Sequence, residues 1–379
     1  MALDSSPPPT GRPRIARIVS DAPLAALRRP LLGMPLGLRA VYAALDAGAT
    51  GVTLEGTAQG LADLLRARGL AQAEMAPLGV PTLVVTADAL VSVELLRRLA
   101  PGEVITDDDG HPLAGLVTAA PGDAALAALG RGRAHPFEPG ELLYALRPTS
   151  PPDRRAARRL LLKGLIKPQD GPASRLLNRP VSTRVTAAIV PLGVTPTMMT
   201  VVVALFGVAG GLFAAGDTWA LQVLGALLYQ AHSILDGCDG EIARLTKNFS
   251  KHGALLDSVV DDLSNLLFFV GLSVGVHRSL GADWPLFFGA ATAAGYLGVT
   301  VVQFNTVLRA TGKGFKATFW DSAKPRPLWY RVLHASLRRD VFIWICLALV
   351  VVGAAPALVA VMPFAAAGTL VATVKRARG

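Results

Sequence analysis

Cysteine is nearly absent from this chain: two residues, Cys238 and Cys346, stand among 379, each inside an apolar stretch. Two thiols so placed provide neither a disulfide framework nor a cysteine-based zinc site. Charge is also scarce, at 17% Asp, Glu, Lys and Arg, where a soluble domain usually carries about 25%. Acids are the scarcer sign, 27 against 37 Lys and Arg, which leaves a net charge of +10. Met1–Arg14 is proline-rich and lacks the apolar core of a signal peptide. What the chain does have is apolar surface: 52% hydrophobic residues and a mean hydropathy of +0.45. Such a basic, apolar chain reads as a membrane protein with positive loops rather than a nucleic-acid binder. Disorder, collagen and the secreted mini-protein are excluded on the same composition.

The apolar content divides the chain into three. Residues 1–150 read as an α/β domain, with short runs at Ile15–Val19, Leu38–Ala47, Gly51–Leu54, Leu61–Arg68, Thr82–Thr86 and Ser92–Leu99. Strand-like and helix-like stretches alternate there, which predicts βαβ units around a parallel-rich sheet. Gly48 is placed to end the helix at 38–47. Residues 151–195 form a basic amphipathic juxtamembrane segment, with nine Lys and Arg between 151 and 184 against Asp153 and Asp170. It fits a helix lying on anionic headgroups.

Residues 196–379 predict an all-α polytopic domain of six transmembrane helices, near 197–216, 219–244, 254–276, 285–306, 341–354 and 356–374. The fifth is short for the roughly 20 residues that a bilayer requires. Loop 307–339 holds eight Lys and Arg and one acid, Asp321. Six spans with both ends inside place that loop, the N-terminal domain and the C-terminus in the cytoplasm.

Inside this domain lie carboxylates that are costly in a membrane and therefore functional by default. Asp236 and Asp239 close the second span, and Asp257 and Asp261 open the third. Spacings of three and four put each pair on one helix face. The short polar turn 245–252 brings both pairs to one end. Four anions in a low-dielectric site repel, and oxygen-only ligands favour Mg2+, Ca2+ or Mn2+ over zinc. Gly240, Ala243 and Gly253 share this region, where small side chains serve either helix packing or a flat ligand.

Asp236, Asp239, Gly240, Ala243, Arg244, Gly253, Asp257 and Asp261 together spell Asp-x-x-Asp-Gly-x-x-Ala-Arg, eight residues, Gly-x-x-x-Asp-x-x-x-Asp. This resembles the signature of the CDP-alcohol phosphotransferases, with every spacing intact. The resemblance implies transfer of a substituted phosphate from a CDP-alcohol donor to a hydroxyl acceptor, with release of CMP. It implies two divalent cations, Mg2+ or Mn2+ with Ca2+ admitted in vitro, on Asp236, Asp239, Asp257 and Asp261. Asp261 would also be the catalytic base. Gly240, Ala243, Arg244 and Gly253 would bind the nucleotide, and a homodimer is expected. A membrane scaffold or transporter would use membrane aspartates too, but has no need of the Gly and Ala positions.

The segment Lys167–Ser182 and Arg338-Arg339-Asp340 are similar to the di-myo-inositol-phosphate-phosphate synthase type, where a cytidylyltransferase domain is often fused to the membrane domain. That type implies a CDP-inositol donor and an inositol-phosphate acceptor; a CDP-diacylglycerol-dependent phospholipid synthase is the alternative. Thr195-Pro196-Thr197 departs from the Thr-Pro-Asn that often opens the first span. Lys313, Lys316, Arg338 and Arg339 are candidates for an acceptor-phosphate pocket. The N-terminal domain resembles a degenerate nucleotidyltransferase: Gly33–Arg39 and Leu83–Asp88 match its helix and metal-bearing strand, but no glycine-rich loop follows Val19. Without that cradle of backbone donors the domain is expected to be silent, with Asp88 structural. Asp107-Asp108-Asp109-Gly110 reads as a hairpin turn rather than a calcium loop. His232 reads as a packed histidine within reach of Asp236, and Asp262, about 100° from Asp261, is expected to cap or to face a dimer partner or headgroups.

Overall fold

The computed structural model describes residues 15–70, 72–73, 80–118, 124–140, 143–167, 170–309 and 339–378; side chains at 251–252, 254–255, 303–309, 339, 372 and 376–378 stand outside that description. The chain forms two compact units, Met1–Ile166 and Lys167–Gly379.

The first unit is built on six strands: β1 (Ile15–Ser20), β2 (Gly51–Gly56), β3 (Thr82–Thr86), β4 (Glu103–Thr106), β5 (Pro112–Val117) and β6 (Arg133–Ala134). Their order is β2-β1-β3-β5-β4-β6. β1 pairs in parallel with both β2 and β3, β4 pairs in parallel with β6, and β5 runs antiparallel between β3 and β4. Every residue of β3 is buried, as expected of an apolar run covered on both faces. Helix α1 (Leu36–Asp46) lays Leu38, Val41 and Ala44 into a core with Ile18, Leu54 and Val85. It stops where the sequence predicts, because Gly48 takes φ +116°, a conformation that a β-carbon resists. Helix α2 (Val93–Arg98) and helix α3 (Pro151–Lys163) complete the elements used below. A reciprocal capping box between Ser150 and Asp153 starts α3.

The second unit is helical. A single π-turn at Ser174–Asn178 leads into α4 (Arg179–Ile189). Six helices then follow among the described residues: α5 (Pro196–Ala214), α6 (Trp219–Thr246), α7 (Lys251–Leu280), α8 (Trp284–Arg309), α9 (Arg339–Val351) and α10 (Ala355–Arg378). They fall on the six predicted segments. Four of them, α5, α7, α8 and α10, carry stretches long and apolar enough to cross a bilayer. Helix α6 has 28 residues, but polar groups such as His232, Asp236, Asp239 and Glu241 interrupt its apolar run. Helix α9, at 13 residues, is shorter than a membrane crossing. Six complete crossings are therefore not established by length and apolarity.

Helix α5 packs against both α6 and α7. Glycine permits these approaches: a β-carbon on Gly225 would strike the backbone of Ala214, and one on Gly271 would strike the carbonyl of Gly211. Deeper in the bundle, Tyr229 of α6 stacks on Phe268 of α7 with ring centroids 4.2 Å apart. Ile343 of α9 and Leu358 of α10 belong to the same buried cluster. Side chains cap the starts of α5 and α7. Thr195 accepts from the Met198 amide at 3.2 Å to start α5, and Ser250 accepts from the Gly253 amide at 3.2 Å to start α7. Between α6 and α7, Lys247 closes the first helix at φ 51°. The turn is thus only a few residues long, and the carboxylates on either side of it meet.

Candidate active site

Helix α6 carries Asp236 and Asp239 one turn apart, and α7 carries Asp257 and Asp261. Asp257 stands in electrostatic contact with the other three. Two carboxyl groups make that contact around a shared proton or a cation, since bare carboxylates repel. Thr200 of α5 donates to Asp239 Oδ2 at 3.1 Å. His232, fully buried one turn before Asp236, shares its Nδ1 with the Val203 carbonyl at 3.0 Å and holds Nε2 3.5 Å from Asp261 Oδ1. It is both the packed histidine of the sequence reading and a neighbour of the site.

The small residues divide by surroundings. Gly225 and Gly271 are packed against backbone, whereas a β-carbon on Gly253 would meet only the side chain of Ser250, and one on Gly240 only Arg244 Nη1, among the described residues. Among the described residues neither Gly240 nor Gly253 is packed against backbone, and each is approached only by a side chain. Ala243 lies buried beside them. Arg244 has Nε and Nη2 buried without a hydrogen-bond partner among the described residues. A buried guanidinium with unmet donors is poised for an anion.

Glu241, which the sequence reading did not single out, braces this region together with residues of the preceding segment. Glu241 of α6 is fully buried and accepts from Arg179 Nη1, Ser182 Oγ and Thr186 Oγ1, each at 2.7 Å. Arg179 in turn grips both oxygens of Asp170, at 2.9 and 3.0 Å. Burial works against the Asp170 carboxylate, but the Arg179 and backbone hydrogen bonds outweigh it and hold its pKa below the ordinary value. Burial likewise opposes the Arg179 charge, and Asp170 and Glu241 override it and raise that pKa. The signal was present in the sequence: a Glu inside an apolar helix demands a cation, and Arg179 lies in the basic segment before it.

Asp262 corrects an expectation. It does not face outward but accepts from Thr300 Oγ1 at 3.2 Å and from Tyr296 OH at 3.5 Å, both on α8. Helix α8 covers that side of α7, so the rotation from Asp261 points it into the bundle. Lys313, Lys316 and Arg338 lie outside the described residues, as does the side chain of Arg339, the first residue of α9.

In the first unit, Asp88 after β3 is bound by Arg147 Nε at 2.9 Å. Arg39 of α1, half of the nucleotidyltransferase resemblance, is spent on the carbonyls of Leu31 and Leu32, and its burial pushes its pKa down to about 10. After β1, Thr57 Oγ1 donates to the carbonyls of Ser20 and Ala22, at 3.0 and 2.7 Å, so the chain turns tightly where a triphosphate loop would open. Asp107, Asp109 and His111 bring ligand atoms within 4.8 Å of one another. They sit on the hairpin from β4 to β5, where Gly110 takes φ +82°, as the turn reading expects.

Residues 193–371 match the CDP-alcohol phosphatidyltransferase family. The protein named Bifunctional IPC transferase and DIPP synthase from Archaeoglobus fulgidus is 44% identical over 117 residues, 31% of this chain and 23% of that protein. Its namesake from Thermococcus kodakarensis is 37% identical over 158 residues, 41% of this chain and 34% of that one. Archaetidylinositol phosphate synthase from Pyrococcus horikoshii is 31% identical over 93 residues, 24% of this chain and 47% of that protein. The chain thus spans less than half the length of each of these relatives. The matched stretch holds the whole aspartate signature and the helices that gather it, so it is over residues 193–371 that the chain is similar to the CDP-alcohol phosphatidyltransferase family.

Proposed function

We propose that this chain moves a substituted phosphate from a CDP-alcohol to an acceptor hydroxyl and releases CMP. The observation that carries the reading is the meeting of Asp236 and Asp239 with Asp257 and Asp261, beside two glycines that are not packed against backbone among the described residues. The donor set is all oxygen and anionic, which suits two divalent cations, Mg2+ or Mn2+, on those four residues. When bound, such ions neutralise charge on the transferring phosphoryl group. Asp261 takes the proton of the acceptor hydroxyl while that oxygen bonds to phosphorus and the bond from phosphorus to the CMP oxygen breaks. Gly240, Ala243 and Gly253 leave room for cytidine and ribose, and Arg244 offers its unmet donors to the donor phosphates. Most of the rate then comes from positioning and charge.

The donor is a CDP-inositol type and the acceptor an inositol phosphate in our first reading, which the likeness to the synthase-type relatives supports. A CDP-linked lipid donor is the second reading, favoured by the name of the Pyrococcus horikoshii relative. The domain works in the cell membrane as a homodimer, with its site, the N-terminal unit and the C-terminus on the cytoplasmic side. The N-terminal unit is catalytically silent, because Arg147 already holds Asp88. CMP release from a panel of CDP-alcohols, with and without inositol 1-phosphate, tests the reading; no release from any donor leaves a binding site or scaffold.

A further inference from the structure

His232, Asp236 and Asp239 follow one another along α6 at spacings of four and three, which put all three on one face of the helix. The His232 side chain is fully buried, and its surroundings fix the ring. Nδ1 lies 3.0 Å from the Val203 carbonyl of α5. A carbonyl oxygen only accepts, so Nδ1 carries the hydrogen. The ring lies parallel to that of Tyr229, within 7° at a centroid distance of 6.2 Å, and Tyr229 is itself stacked on Phe268. Gly207 keeps α5 close on this side: a β-carbon there would come 3.2 Å from His232 Nδ1 and would clash with Ser264 of α7.

With Nδ1 committed, the neutral ring presents a lone pair at Nε2. That atom is buried without a hydrogen-bond partner among the described residues, and Asp261 Oδ1 stands 3.5 Å away. A buried acceptor left unmet costs free energy. A lone pair beside a carboxylate also repels it unless something positive lies between them. Adjacent ligands on an octahedral ion with bonds of about 2.1 Å stand about 3 Å apart, so the 3.5 Å gap is close to what one ion needs. Donation of one ring N–H to a backbone carbonyl is, moreover, the usual device that orients the other nitrogen of a histidine toward a metal.

We propose that His232 Nε2 is a nitrogen ligand to the divalent cation at Asp261, and that this nitrogen makes the site select Mn2+ or a later transition ion over Mg2+ and Ca2+. The cation at the aspartates belongs to the transferase reading, on which the proposal rests; what is added is a ligand of different chemistry. Carboxylates alone serve Mg2+ and Ca2+ as well as Mn2+, whereas an imidazole nitrogen favours transition ions.

The test is pulsed electron paramagnetic resonance of Mn2+ bound to the full chain in detergent, which detects a nitrogen bonded to the ion by its nuclear modulation. His111 lies with Asp107 and Asp109 in the first unit, so the measurement is made on a His111→Gln chain. We expect nitrogen modulation that changes when the chain is made with histidine carrying the heavy nitrogen isotope, and that is lost in His232→Leu. Mn2+ affinity should fall by about tenfold or more in His232→Leu, at least the cost of losing an outer partner of a metal ligand. Mg2+ affinity, read by competition, should change much less. The isotope experiment needs no substitution at position 232, so it decides the question even where leucine disturbs folding. Histidine nitrogen on the ion with no CMP release from any CDP-alcohol keeps the ligand and sinks the transferase reading. CMP release with bound Mn2+ that shows no histidine nitrogen, or no binding of Mn2+ at all, overturns the proposal. Equal weakening of Mn2+ and Mg2+ in His232→Leu overturns the selectivity.

Discussion

At the scale of single residues, the site depends on groups that hold other groups. Thr200 touches no substrate in this account, yet it fixes one oxygen of Asp239. Thr200→Val is expected to weaken the apparent Mg2+ or Mn2+ affinity by about tenfold or more, as loss of a ligand's hydrogen-bond partner usually does; a metal titration of CMP release measures it. Glu241 acts on stability instead. Glu241→Ala leaves Arg179 bound only to Asp170 and strands Ser182 and Thr186, at a cost of about 3 kcal/mol, to be read as earlier unfolding in detergent. The glycines separate the two roles. Gly225→Ala forces a side chain into the Ala214 backbone and is expected to cost about 1–3 kcal/mol. Gly253→Ala meets only Ser250, so it should fold normally and raise the KM for the CDP-alcohol. Equal stability loss in the two variants would contradict that division.

At the scale of elements, the juxtamembrane helix α4 is tied to α6 through Asp170, Arg179 and Glu241. The Asp170 pKa is depressed in the folded chain, so its stabilising contribution is complete above the unfolded value near 3.9 and is lost as pH falls through the lower folded value. Thermal unfolding of wild type and Asp170→Asn should therefore differ by a constant amount at neutral pH, and that difference should begin to shrink only as pH falls below about 4. A difference that stayed constant however far the pH was lowered would show that the carboxylate charge is not what matters. Much of this architecture is legible in residue patterns. Val19, Gly48 and Thr86 mark ends of elements because apolar runs and a glycine cap are local signals. The Asp262 environment is not local: which side of α7 is covered depends on where α8 returns, and one chain's periodicity does not state that. Glu241 hid for a related reason, since its partners lie some 60 residues upstream, Arg179 by 62 and Thr186 by 55.

At the scale of the whole molecule, a helical unit that gathers four carboxylates follows an α/β unit whose own nucleotidyltransferase-like features are occupied from within. Arg147 on Asp88 and Arg39 on the Leu31 and Leu32 carbonyls occupy those features, and the described residues of that unit offer no cradle for a triphosphate. The account therefore makes the aspartate cluster alone responsible for turnover, with a donor supplied ready-made by a reaction that joins CMP to an alcohol phosphate. Asp88→Asn is expected to leave CMP release unchanged, in the same assay where the aspartates of α6 and α7 abolish it. The most direct measurement is CMP release by the purified full chain across a panel of CDP-alcohols, with and without divalent metal, comparing wild type with Asp261→Asn. The account predicts release that requires Mg2+ or Mn2+ and falls by at least about a hundredfold in the variant, within the range for removal of a general base. Release that persists in Asp261→Asn, or that proceeds equally with all divalent metal removed, would contradict it.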